Sequence, residues 1–319
     1  QTITLAGSDA EGDALTYALA TNPSNGTATL DDLANLSFDG VDDYVEVPDI
    51  GNLDAFTFEM WVRIDGSIGE YRGLFGTQSW GVSRVHWQIG SDNNLRCSID
   101  GGGGSTYGVV GNYIFDESTI GQWFHLAASY QSGETVKLFV NGVFDGEANM
   151  TQTVNLTGLR IGDVFTQPRY FDGIIDEVRI SNTNRYTEDF TPSFILDDDD
   201  NTIMLYHFNE GTGTTITDLS GNGNDGTIVG ATWSDDMPVF GCTDPYADNY
   251  NSDANLDDGS CAGYPSDGEH SLSFDGVDDY VEGDQNPALD NLSQLTVMAY
   301  CKFDEDEGFD GIIEKGTST

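Results

Sequence analysis

The eleven residues Leu36 to Glu46, LSFDGVDDYVE, recur letter for letter at Leu272 to Glu282 in this chain of 319 residues. A repeat of that length marks two copies of one module. The residues after each copy agree in outline: NLDAFTFEMWVRID from Asn52 answers NLSQLTVMAYCKFD from Asn291, and Gly73-Leu74-Phe75 answers Gly311-Ile312-Ile313. The second copy breaks off at Thr319, so the sequence reads as a stretch of a longer tandem array. Such arrays point to binding or display rather than to a self-contained catalyst.

Inside the module the period is two. Phe56, Phe58, Met60, Val62 and Ile64 fall on one face of a strand, with Thr57, Glu59, Trp61 and Arg63 on the other. WFHLAASY from Trp123, GIIDEVRI from Gly173 and IMLYHF from Ile203 read as further strands. Val136 to Val140 and Val143 to Glu147 flank Asn141-Gly142, a strong hairpin signal. Helical periods are scarce, and the 39 glycines among many Asp and Asn imply tight turns. About a dozen strands between 35 and 235 predict an all-β, two-sheet antiparallel sandwich sharing one core.

The 55 acids against 11 bases leave a net charge of −44. Such a surface repels nucleic acid and anionic lipid, which are bound through Lys and Arg. It reads as a solvated coat, as a source of cation ligands, or as both. No apolar run reaches membrane-spanning length. Gln1 leads straight into TITL with no secretory leader pattern, as expected of an internal or processed end. Cys242 and Cys261 bracket an Asp/Asn-rich segment with few apolar residues and are expected to pair, which implies an oxidising compartment. Cys97 and Cys301 lie in strand patterns as buried thiols.

Four resemblances organise the chain. TITLAGSDAEGDALTYALA and PSNGTATL, within residues 1–34, resemble the opening of bacterial cadherin-like and immunoglobulin-like repeats. FDGVDDYVEV, FTFEMWVRI, GQWFHLAASYQSGETVKLFVNG, FDGIIDEVRISNTNRY and HFNEGTGTTITDLSGNGNDGTIVGATW, across 35–235, are similar to the laminin G-like, concanavalin A-like jelly rolls of bacterial surface proteins. The HFNEG block often comes first in that family and here comes last. GCTDPYADNYNSDANLDDGSC, within 236–265, resembles an acidic repeat between modules of large secreted Bacteroidota proteins, many exported by the type IX route. Residues 266–319 then begin a second laminin G-like copy that lacks counterparts of WFHLAASY, GIIDEVRI and IMLYHF. Alone it would bury too little surface to fold.

The family resemblance implies a structural calcium between the first strand and the last long one, favouring Asp39, Asp43 and Asp176, with Asp42 adjacent. The alternative is that these acids cap turns and bond backbone N–H groups. In DLSGNGNDG the oxygens of Asp218, Ser220, Asn222 and Asn224 alternate as in calcium loops, but no glutamate closes the set, and Asx turns would space them alike. Asp253, Asn255 and Asp257, and Asp9, Glu11 and Asp13, repeat that spacing more weakly. Sugar platforms would be loop aromatics: Tyr71, Trp80, Tyr107, Tyr113 and Tyr170.

Catalytic patterns are sparse. No strand carries Glu-x-Asp-x-Glu, the form that facing carboxylates take in jelly-roll glycosidases. His86, His125 and His207 sit in strands without Gly-x-Ser-x-Gly or metal-ligand spacing, and read as packing. The expectation is a non-catalytic, extracellular binding or adhesion module, calcium-stabilised, with glycans or surface polymers and neighbouring modules of the same chain as partners. An accessory region of a secreted hydrolase and a ligand-free spacer are the alternatives.

Overall fold

The strand Ala55–Ile64 sets the architecture, because both its faces are buried. Phe56, Phe58, Met60, Val62 and Ile64 point into the main core at 0–1 % exposure, as the alternation predicts. The opposite face, Thr57, Glu59 and Trp61, is equally dry, so something must cover this sheet from outside. These observations come from a computed structural model that describes residues 34–263, except 78, 80, 103–104, 151–152 and 165–168. The chain divides into units 1–265 and 266–319, and the described residues lie in the first. The expectations for 1–33, including Asp9, Glu11 and Asp13, and for 266–319, including Cys301, fall outside the described residues.

The described residues are nearly all β, one short 3-10 turn at Glu117–Thr119 apart, with two eight-stranded antiparallel sheets face to face in a jelly-roll sandwich. The first sheet runs Val143–Asn149, Thr135–Val140, Trp123–Gln131, Ala55–Ile64, Asp172–Ser181, Asn35–Asp39, Thr232–Ser234. Thr202–Tyr206 also pairs with Asp172–Ser181. That long strand changes partner midway: Asp172 to Ile175 pair with Asn35–Asp39, and Val178 to Ser181 with Thr202–Tyr206. A β-bulge at Asp176-Glu177, with Glu177 at φ +50°, marks the change. The late HFNEG block thus lies in line with the first strand and beside it, which answers the unusual block order. The second sheet runs Thr215–Ile216, Gly226–Val229, Tyr44–Glu46, Leu159–Ile161, Arg72–Thr77, Val85–Ile89, Asn94–Gly102, Ser105–Ile114.

Asn141 and Gly142 take φ +50° and +76°, the left-handed pair that a two-residue hairpin between Thr135–Val140 and Val143–Asn149 needs. Near one edge of the sandwich, the buried carboxylate of Asp145 accepts from the N–H groups of Asn112 and Tyr113, tying the two sheets together.

Two segments cover the outside of the first sheet. Residues 182–200 form a strap held by an ionic cluster: Arg179 donates to Glu59 at 2.8 Å, Tyr186 Oη to Glu59 at 2.8 Å, and His125 Nε2 lies 3.3 Å from it. Burial raises the Glu59 pKa, but the His125 and Arg179 contacts outweigh it and hold the group at about 2. The second cover is the cysteine-bracketed segment. Cys242 and Cys261 are disulfide-bonded, as expected, with Cα atoms 4.7 Å apart. Leu256 packs with Trp61, Trp123, Ile174 and Phe194; Phe240 meets Phe194 at 5.5 Å; and Trp123 N–H donates to the Asn255 carbonyl at 2.8 Å.

The segment 236–263 is therefore packed on the sandwich rather than strung between modules. Leu256→Ala opens a cavity beside two tryptophans and should destabilise the protein by about 2 kcal/mol in urea unfolding. An unchanged midpoint would mean that the segment is only a tether.

Candidate functional site

Three apolar-Asp-Gly triplets, Phe38-Asp39-Gly40, Ile64-Asp65-Gly66 and Phe171-Asp172-Gly173, meet at one end of the sandwich. Asp39 pairs with Asp172 across the ladder, and the N–H groups of Asp65 and Gly66 donate to the Asp172 carbonyl at 3.2 and 3.4 Å. A Cβ at Gly66 would lie 1.9 Å from Asp172 Oδ2, and one at Gly40 2.9 Å from Asp172 Cβ, so both glycines are needed for this approach. Asp39, Asp42 and Asp43 each bring a carboxylate oxygen to within 4.8 Å of the others. Asp43 is buried and accepts from the Asp39 N–H at 2.8 Å. Burial raises its pKa, and the Asp39 and Asp42 charges push it further up. Asp172 is raised by burial too, with Asp65 and Asp39 adding to it against Arg72. Hard oxygen donors crowded with like charge are a donor set that fits calcium.

The expected set of Asp39, Asp43 and Asp176 is not brought together as a whole. Asp176 lies four residues beyond Asp172, about 13 Å along the strand, opposite Trp61. It is buried and accepts from the Glu177 N–H at 2.8 Å. Burial, then the neighbouring Glu177 charge, raises its pKa well above the ordinary value, which favours a neutral acid. The residues facing Asp39 that the sequence reading missed are Asp172 and Asp65. The apolar-Asp-Gly triplet does not single them out, because it also occurs at Ile99-Asp100-Gly101 and Phe144-Asp145-Gly146.

The loop around Asp218 does converge, but on backbone. Asp218 Oδ1 accepts from the Leu205 and Ser220 N–H groups, and its Oδ2 from that of Asn224 at 2.9 Å. Asn222 donates to the Thr202 and Ile203 carbonyls, and Asn224 to that of Ile203. These side chains satisfy the free edge of Thr202–Tyr206. Asp257 accepts from the Gly259 N–H and the Asp253 N–H donates to Asn251, both turn bonds, while Asn255 accepts from the N–H of Val239, 16 residues away.

The other candidate surface is the outer face of the second sheet. Along each strand the residues between the core positions line up across the ladder. One row reads Thr227, Glu46, Arg160, Gly76, His86, Ser98, Gly108, and a second reads Gly73, Gln88, Arg96, Val110. The row between them, Val45, Ile161, Phe75, Trp87, Cys97 and Val109, is core, and Cys97 is a free buried thiol pushed up to about 12 by burial. The segment that carries Arg169 lies over Gly73, whose N–H donates to the Arg169 carbonyl at 2.7 Å; a Cβ there would sit 2.6 Å from that oxygen. Arg169 Nη1 donates to Gln88 at 2.7 Å, and its guanidinium stacks 4.0 Å from the Tyr71 ring centroid. Arg160 stacks likewise on Tyr44 at 3.7 Å. His86 is pushed down to about 4 by burial and then by Arg169, so it is neutral at pH 7. At the Glu46 end lies a depression of about 350 Å³ lined by Glu46, Pro48, Asp49, Thr157, Asp225 and Thr227.

Of the expected sugar platforms, Tyr71 is 39 % exposed but carries Arg169 on one face of its ring. Tyr113 packs on Phe115 and Phe124 near the sheet edge. Tyr170 is half-buried. Trp80 and the Tyr107 side chain lie outside the described residues. His125 sits beside Glu59 with no exposure, and His207 Nδ1 is 2.7 Å from the Glu177 carboxylate.

Residues 39–191 match the family described as the concanavalin A-like lectin/glucanases superfamily. No curated protein matches the chain. A Bacteroides ovatus protein proposed to bind carbohydrate shares 19 % identity at a TM-score of 0.52, covering 65 % of this chain and 61 % of that one. This chain thus spans less than two thirds of that protein, and at this identity the likeness shows the fold alone. A heptameric SAP-like pentraxin of Limulus polyphemus follows at 13 % identity and TM-score 0.39, covering 50 % and 81 %. The CBM40 module of the Ruminococcus gnavus IT-sialidase, bound to α2,3-sialyllactose, stands at 14 % and 0.34, covering 45 % and 93 %. These last two are too distant to carry an argument.

Asp218→Ala would strip the acceptor from three N–H groups. It should cost about 3 kcal/mol, by the same amount in calcium and in chelator. A loss confined to calcium buffer would show that the loop holds a cation instead.

Proposed function

We propose that residues 34–263 form a non-catalytic binding module of a secreted or cell-surface protein, which takes a glycan or surface polymer on the outer face of the second sheet. The observation that carries this reading is the asymmetry of the sandwich. Among the described residues, the strap and the disulfide-bonded segment cover the first sheet, whereas the second presents Tyr71, Arg96, Arg160 and Ser98 on its outer side, with the segment of Arg169 lying over Gly73. Arginines stacked on tyrosine rings suit hydroxylated ligands, since they join a flat apolar surface to fixed donors. The superfamily match over 39–191 and the carbohydrate binding proposed for the Bacteroides ovatus protein support the same reading. The Cys242–Cys261 disulfide supports an oxidising, extracellular setting. Among the described residues no helix is long and apolar enough to cross a membrane.

Calcium belongs to this proposal as a stabiliser at Asp39, Asp42 and Asp43, with Asp172 and Asp65 beside them. There it would relieve repulsion among crowded carboxylates and fix the loops at that end of the sandwich. A cation that binds only the folded state raises the melting temperature by mass action. The protein should melt several degrees higher in millimolar calcium than in chelator, and Asp43→Asn should remove most of the gap while Asp176→Asn leaves it. Equal melting in both buffers would remove calcium from the proposal. A glycan array probed with the full chain tests the binding role itself, and silence across neutral and acidic glycans in both buffers would count against it.

A further inference from the structure

The disulfide-bonded cover is fastened unevenly. Its near end is tied down before the first cysteine: Asp236 pairs with Arg63 at 2.7 Å, and the Asp236 carbonyl accepts from Asn35 at 3.1 Å. Between Cys242 and Cys261 only Ala247, Ala254 and Leu256 are buried, and of these Leu256 alone joins Trp61, Trp123, Ile174 and Phe194. The Asn255 carbonyl beside it takes the Trp123 backbone N–H at 2.8 Å. The far end bonds back to the segment itself, the Ala262 N–H to Asn249 at 2.8 Å and the Ala262 carbonyl to the Asp248 N–H at 3.0 Å.

These few contacts work against two costs. Residues 242–261 carry five aspartates and no basic residue in a chain of net charge −44, so like charge pushes the segment off the body. Ordering an irregular stretch of chain also costs conformational entropy. The disulfide offsets the second cost, because it joins residues 19 apart in sequence, and closing such a loop contributes at least as much as burying one leucine. Without the bond, one leucine and one backbone hydrogen bond are left to seat the return leg on the sheet. Beneath it lie Trp61 and Trp123, 4 % and 2 % exposed, and Ile174 at 2 %. Uncovered, they would form an apolar patch on the outer face of the first sheet.

We propose that the Cys242–Cys261 bond is a redox latch on this cover. As a disulfide it seats the segment on Trp61 and Trp123; as two thiols it lets the segment leave them, so the first sheet is closed at this end only after oxidation. The bond is open to exchange, since Cys242 is buried but Cys261 is only half-buried. One thiolate of a dithiol reductant attacks Cys261 Sγ, and Cys242 leaves as a thiolate and takes up a proton. The second thiol of the reductant then displaces Cys261 and closes its own disulfide, so two electrons pass from the dithiol to the protein. The apolar patch is shown before oxidation and hidden after it. This device is independent of any glycan on the second sheet.

The test treats the full chain with dithiothreitol in native buffer, then with iodoacetamide, and reads labelling peptide by peptide. Cys97 is the internal control, a free thiol 1 % exposed in the main core. The expected result is labelling of Cys242 and Cys261 but not of Cys97, with the far-UV β signal kept. Tryptophan emission should move to the red, and the amides of 242–261 and of Trp123 should exchange at least about tenfold faster. The double variant Cys242→Ser, Cys261→Ser should show the same emission and exchange without reductant and not respond to it. Both cysteines labelled with emission and exchange unmoved would mean that the segment stays seated without its bond, and the latch would be wrong. Labelling of Cys97 along with them, or a double variant that fails to fold, would overturn it in the other direction, by showing that the bond supports the whole sandwich. If the bond resists reductant in the folded chain, the double variant decides by its exchange rate alone, faster for a latch and unchanged against one.

Discussion

Glu59 is the residue on which the covered side of this protein depends. It sits in the middle of Ala55–Ile64 with no exposure, on the face away from the main core. A lone buried carboxylate would be untenable, so the chain surrounds it with Arg179, Tyr186 and His125. Tyr186 belongs to the strap, so its hydrogen bond to Glu59 ties the strap to this carboxylate. The strap in turn supplies Phe194, which joins Trp61, Trp123, Ile174 and Leu256 into a second apolar cluster. The polar network fixes where the strap lies, and the apolar cluster supplies the burial that holds it there.

The bulge at Asp176-Glu177 arises from the same arrangement. Asp172–Ser181 must serve Asn35–Asp39 along its first half and Thr202–Tyr206 along its second, and no straight strand pairs in register with two segments that do not meet end to end. The extra residue re-aims Glu177, whose carboxylate takes the Leu196 N–H from the strap and contacts His207 just past Thr202–Tyr206. A positive φ at Glu177 is an unfavourable conformation for a non-glycine residue, maintained because both neighbours bind its side chain. The two acids in GIIDEV therefore have structural work on the covered sheet, far from the acidic loops that the sequence spacing suggested.

Local chemistry was legible and long-range register was not. The alternation in FTFEMWVRI, the Asn141-Gly142 hairpin and the Cys242–Cys261 pair were all readable, because each depends on residues close in sequence or on a composition that leaves few alternatives. The partner of Asp39 was not, since choosing Asp172 over Asp176 requires the ladder between Asn35–Asp39 and Asp172–Ser181, and a shift of four residues preserves the same side-chain alternation. DLSGNGNDG illustrates a different limit. Oxygens at alternating positions look the same whether they face a cation or the backbone of a neighbouring strand, and only the position of Thr202–Tyr206 decides between them. Leu256 escaped notice because one apolar residue in an acidic run has no period to reveal it.

The economy of basic residues links these themes. On the first sheet arginine neutralises acids that packing forces inward or fastens the covers down. On the second sheet Arg169 is stacked on Tyr71 and donates to Gln88, while Arg96 pairs with Asp92 and Arg160 with Asp163. Among the described residues the first sheet carries both covers, and the second turns polar rows that mix acids and arginines to the outside.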